Sequence, residues 1–98
     1  MKELDWFVTT LESEFQVRVN REEVSYEAVE LSFNELDESL IPRELIHDLP
    51  EFLLFETLVY DSEDGTEWLG VIAMSTETKK WHLQMILKSG EPLLRRRV

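Results

Sequence analysis

From residue 51 onward the chain breaks into four apolar runs, EFLLFETLVYD, TEWLGVIAMS, KWHLQMILK and PLLRRRV, cut apart by SEDG, TETK and SGE. Short apolar runs separated by clusters of Gly, Ser, Thr and acids are the pattern of an antiparallel meander. Taken alone, FLLFETLVY would also suit a helix. Its aromatic and β-branched content, and the Asp64-Gly65 that follows, select a strand.

A meander of this kind makes a register testable. If Asp61 pairs with Thr66 and Ser75 with Lys80, alternation collects Leu53, Phe55 and Val59 with Trp68, Ile72 and Met74 and with Trp81, Leu83, Met85 and Leu87. That face is apolar enough to be the core. The opposite face gathers Leu54, Glu56, Leu58 and Tyr60, then Glu67, Leu69, Val71 and Ala73, then His82, Gln84, Ile86 and Lys88. Its apolar middle has a polar rim, the anatomy of an interface, unless other parts of the chain fold over it.

Upstream, residues 3–15 repeat Leu4, Phe7, Val8, Leu11 and Phe15 at spacings of three and four, one stripe of an amphipathic helix. Trp6 falls on the opposite side, where either the chain's own residues or a partner must cover it. QVRV and AVELSF both alternate and read as two half-buried strands, although Asn20 followed by Glu23 also fits a helix-opening capping box. DESLIPRELIHDLP, residues 37–50, reads as a short second helix with Pro42 at its start and Pro50 at its close. The expected fold is α+β: a sheet of about five or six strands packed against an N-terminal helix and a short second one, all in a single domain over 1–98.

Ninety-eight residues without cysteine exclude disulfides, thiolate metal sites and thiol catalysis, and neither a signal peptide nor a membrane span is recognisable, so a cytoplasmic location is expected. Twenty-one acids against ten bases give a net charge of −11, which opposes direct nucleic-acid binding. The charge is uneven. Residues 1–67 hold nineteen acids and four bases (−15), and residues 68–98 hold two acids and six bases (+4). Either the basic end complements the acidic body within one fold, or it serves head-to-tail association.

The chemistry-bearing residues form no recognisable active site. DSEDGTE lacks the alternating acids and the distant Glu of a calcium loop, since residue 71 is Val, and reads as a hairpin turn. His47 sits on the outer side of its helix, and His82 stands alone unless Glu56 or Glu67 approaches it. Three glycines cannot build a phosphate cradle. No cofactor and no metal are expected.

The expectation is therefore a non-enzymatic interaction or regulatory domain, meeting a protein partner or its own copies through the mixed sheet face. Its candidate residues are Trp6, Leu58, Tyr60, Leu69, Ile86, Arg95 and Arg97. Two alternatives belong to other classes. One is a nucleic-acid mimic that inhibits a DNA- or RNA-binding protein through acids such as Glu12, Glu14, Glu22, Glu27 and Glu30. The other is a small enzyme using His82 with Glu56 or Glu67. The terminal GEPLLRRRV resembles a nucleic-acid hook, but on a strand its arginines split between faces. Arg96 then joins Leu94 on the core side, within reach of Trp81, while Arg95 and Arg97 join the mixed side.

Overall fold

The computed structural model describes residues 1–32, 44, 49–50 and 52–98. Helix α1 (Lys2–Phe15) follows the expected stripe, with Phe7, Val8 and Leu11 buried. It ends at Gln16, whose backbone turns left-handed (φ 53°), and the amide of Val17 donates to the Leu11 carbonyl at 2.9 Å. The Gln16 amide donates to the same carbonyl, and the left-handed residue closes the last turn as a glycine at this position normally does.

QVRV does not become a strand. Val17 and Val19 pack on the helix-side core, and the carbonyl of Arg18 accepts from the Tyr60 hydroxyl at 3.3 Å. Alternation there reports an extended segment with one buried side, which needs no ladder partner. Asn20 does cap, its side chain accepting from the Glu22 amide, but what it opens is one 3-10 turn, Arg21–Glu23. The short second helix expected over 37–50 falls largely on residues outside those described.

Five strands follow: β1 (Ser25–Ser32), β2 (Phe52–Asp61), β3 (Glu67–Ser75), β4 (Trp81–Lys88) and β5 (Glu91–Arg97). They form one antiparallel sheet in the order β1-β2-β3-β4-β5. The meander is as expected, but its register is not. Asp61 pairs with Glu67 rather than Thr66, because the loop closes on Ser62 and Thr66 around Glu63, Asp64 and Gly65. Gly65 (φ 86°) takes the left-handed position that ends a three-residue hairpin loop. At the next turn the Ser75 amide does reach the Lys80 carbonyl, at 2.9 Å. A bulge then inserts His82 between the pairs Met74–Trp81 and Ala73–Leu83.

Each irregularity displaces the register by one residue. The two shifts cancel between β2 and β4 and invert β3 between them. Trp68, Gly70, Ile72 and Met74 therefore share a face with Leu54, Glu56, Leu58 and Tyr60, and with Gln84 and Ile86. This is the helix side. Phe7 and Leu11 of α1 join Leu58, Tyr60, Trp68, Ile72, Met74 and Ile86 in one buried cluster. Each fully buried aliphatic side chain there contributes roughly 1.5–3 kcal/mol. The other face holds a second buried cluster, Leu53, Phe55, Ala73, Leu83, Met85 and Leu87, with Leu49, Leu69 and Val71 packed against it. The sheet is thus apolar on both sides.

Candidate interaction edge

With buried clusters on both faces, the sheet's two outer strands carry its most exposed residues. At one end is β5, reached through a two-residue turn in which Ser89 (φ 48°) and Gly90 (φ 83°) both have positive φ. Such a turn matches the twist of a hairpin. Leu94 pairs with Ile86 and packs on the helix-side cluster. Arg96 pairs with Gln84, and its Nε donates to Gln84 Oε1 at 3.0 Å. The Trp81 ring, where Arg96 was expected, is covered instead by Lys2, whose Nζ lies 4.8 Å from its centroid. Arg95 and Arg97 pair with Met85 and Leu83 and so point to the second face, where both are exposed.

The corner where β5 ends is cationic. The amide of Val98 donates to the carbonyl of His82 at 3.0 Å. Burial holds the His82 pKa below its ordinary value, and the charges of Lys80 and Arg97 lower it further. Neutral imidazole is the form favoured there at pH 7.

The opposite end of the sheet, β1, is acidic. Glu27 and Glu30 are exposed, and Tyr26 and Val29 are about half-exposed. The Tyr26 phenol is pushed up to about 12, first by lost solvation, then by its hydrogen bond to Glu56 and the charges of Glu56 and Glu3.

The remaining candidates sit elsewhere. Leu58, Tyr60 and Ile86, expected on an open face, lie beneath α1, and Leu58 and Ile86 are 0% exposed. Inversion of β3 puts them on the helix side, so none of the three is presented at the surface in this fold. Leu69 moves to the second face and packs on its cluster. Trp6 is partly buried against the helix-side cluster and makes an edge-to-face contact with Trp81, ring centroids 6.2 Å apart. The chain's own residues cover it.

Among the described residues, neither Glu56 nor Glu67 is placed beside His82. Glu56 lies on β2 with β3 intervening, Glu67 starts β3 at the far end of the hairpin, and the charges acting on His82 are cations. The Asp64 carboxyl is held down at about 2, mainly by the Ser62 hydroxyl and then by the Thr66 amide, so it is occupied inside its own turn. Among the described residues no group of three or more His, Asp or Glu is placed to hold a metal. No helix among them is long and apolar enough to cross a membrane.

An open groove of about 780 Å³ runs between residues 15–20 and the β2–β3 turn, floored by Tyr60 and Trp68. Lys88 lies over the Trp68 ring at 5.7 Å, and Arg18, Lys88, Glu63 and Asp64 all line the groove. These walls carry both signs of charge, and the Ser62 hydroxyl beside the Asp64 carboxylate is held within the β2–β3 turn, bonded to Asp64 and to the Thr66 carbonyl. Sequence reasoning named Arg95 and Arg97, took Glu27 and Glu30 only as part of a general acidic surface, and missed Lys80, because nothing marked β1 and β5 as the two ends of one sheet. Comparison with known protein families, curated proteins and solved structures gives no match.

Proposed function

We propose that the protein is a non-enzymatic interaction domain that receives an acidic, extended segment of a protein partner along the outer edge of β5. One observation carries this reading: the strand richest in cations, in a chain of net charge −11, is an edge strand of the sheet. An edge strand offers main-chain donors and acceptors to any added strand, which supplies affinity without selectivity. Arg95, Arg96 and Arg97 add the selectivity. They repel basic strands, blunt indiscriminate edge pairing, and favour a strand carrying carboxylates. Buried clusters on both faces make the edge, rather than a face, the accessible route.

The test is titration of the isotope-labelled protein with an acidic β-prone peptide and with its lysine-substituted counterpart. The amides of β5 should shift with the acidic peptide alone, and the binding should weaken as salt is raised. Equal binding of both peptides, or shifts confined to the groove beside Trp68, overturns the proposal.

A further inference from the structure

We infer that the acidic extended segment that fits β5 is β1 of a second copy of this chain, so that copies join edge to edge, β5 of one beside β1 of the next. The inference rests on the reading of β5 given above. The strand order ends with β1 on one side and β5 on the other, and the two are eight and seven residues long. Their charges are opposite, with Glu27 and Glu30 on β1 against Arg95, Arg96 and Arg97 on β5.

The charges also match face by face. Glu30 pairs with Leu54 on the helix side, and Glu27 pairs with Thr57 on the other. Arg96 is on the helix side, and Arg95 and Arg97 are on the other. Every neighbouring pair in the sheet is antiparallel, so β1 and β5 run in the same direction. A second copy added by translation sets Glu27 near Arg95 and Arg97, and Glu30 near Arg96. A copy turned over about the axis across the strands exchanges these partners and still sets acid against arginine. Exposed apolar residues border both edges, Tyr26 and Val29 on one and Leu93 and Val98 on the other.

Like edges repel, because β1 against β1 opposes glutamates and β5 against β5 opposes arginines. The contact is therefore head-to-tail, and a head-to-tail contact that does not close into a ring continues beyond the dimer. Each copy also carries −11 overall, so at very low salt the whole bodies repel. At about 0.15 M salt the screening length is ~8 Å, which suppresses that repulsion while adjacent edge charges still attract.

Sedimentation of the full chain at 0.15 M and at 1 M salt, over a range of protein concentrations, tests the inference. At 0.15 M the average mass should rise with concentration past twice the 11.6 kDa chain, and at 1 M the association should weaken about tenfold or more. Arg95→Glu/Arg97→Glu and Glu27→Lys/Glu30→Lys, each checked for folding by circular dichroism, should each be monomeric, and their mixture should associate again. A monomer at every concentration, a mass that stops at the dimer, or variants that associate like the parent each overturns the inference. The acidic peptide titrated into Glu27→Lys/Glu30→Lys separates the two readings. If it still binds β5 while the parent protein does not self-associate, the edge is a receptor for another protein's acidic strand, and the second copy is the wrong occupant.

Discussion

The ring of Phe7 lies on Gly70, so close that a Cβ at residue 70 would come within 2.8 Å of Phe7 Cε1, nearer still to Cδ1, and within 3.2 Å of Trp6 Cζ3. Gly70 sits in the cross-strand row Tyr26, Leu58, Gly70, Ile86, Leu94, at the centre of the helix-side face. The missing side chain lets α1 approach the sheet and seal Leu58 and Ile86. Gly70→Ala should destabilise the fold by about 1–3 kcal/mol, the cost of overpacking a core. Chemical denaturation measures it. Phe7→Leu in the same chain should show coupling, with the double variant losing less than the sum of the two single losses. A Gly70→Ala protein as stable as the parent would mean that α1 does not dock there.

Gln16 makes the opposite prediction. Its φ of 53° places a residue with a Cβ in the left-handed region, which costs roughly 1–2 kcal/mol relative to right-handed backbone. Its side-chain amide recovers a 3.4 Å bond to the Ser13 carbonyl, in solvent. Gln16→Gly should therefore stabilise the protein by roughly 0.5–1 kcal/mol, the strain relieved less the added unfolded-state freedom of glycine. A lower thermal midpoint in this variant would contradict the left-handed cap.

His82 links stability to pH. Its pKa in the fold is below the ordinary 6.5, by burial first and then by Lys80 and Arg97. The unfolded chain therefore takes up a proton at a higher pH than the folded one. Stability from this group is present above pH 6.5 and declines as pH falls below it. Arg97→Ala and Lys80→Ala should each raise the His82 pKa, read from its ring resonances by NMR. An acidic strand on β5 should do the same. A pKa that stays fixed in both variants would place the cations away from the ring.

The meander, helix α1 and the exposed arginines of β5 were legible because each has a local signature: turn clusters, three- and four-residue spacing, and alternation. The faces were not legible, because they depend on features with almost no sequence signal. Asp64-Gly65 serves a four-residue loop as readily as the three-residue loop it forms, and one residue of difference exchanges every partner. The bulge at His82 leaves no mark, since WHLQM alternates adequately in either frame. A sheet apolar on both sides removes the usual check, because Leu69, Val71 and Ala73 are as acceptable in one core as Trp68, Ile72 and Met74 are in the other. The candidate edge was half legible for the same reason. The cations of β5 are local information, whereas its position opposite β1 belongs to the complete strand order.

Glu56 tests the helix-side core from the polar side. It is 7% exposed and pairs with Ala28 and Ile72, and its Oε2 is buried with no hydrogen-bond partner among the described residues. Its neighbour Tyr26 hydrogen-bonds to the carboxylate and feels its charge. A buried carboxylate with incomplete pairing costs more in desolvation than its contacts return, so replacement by an apolar side chain of similar size is favourable. Glu56→Leu should stabilise the fold by on the order of 1 kcal/mol or more. Tyr26→Phe acts from the other side, withdrawing a partner while the charge stays buried, and should cost about 1 kcal/mol. The phenol reports the same pair independently. With the fold intact, its pKa of about 12 against an ordinary 10.0 means a contribution present below pH 10.0 and lost as pH rises towards about 12. In Glu56→Leu the ultraviolet titration of Tyr26 should move down from about 12, because the hydrogen bond and the negative charge are gone while the burial remains. A Glu56→Leu protein that is less stable than the parent, with Tyr26 titrating as before, would show that the carboxylate finds a partner within the fold.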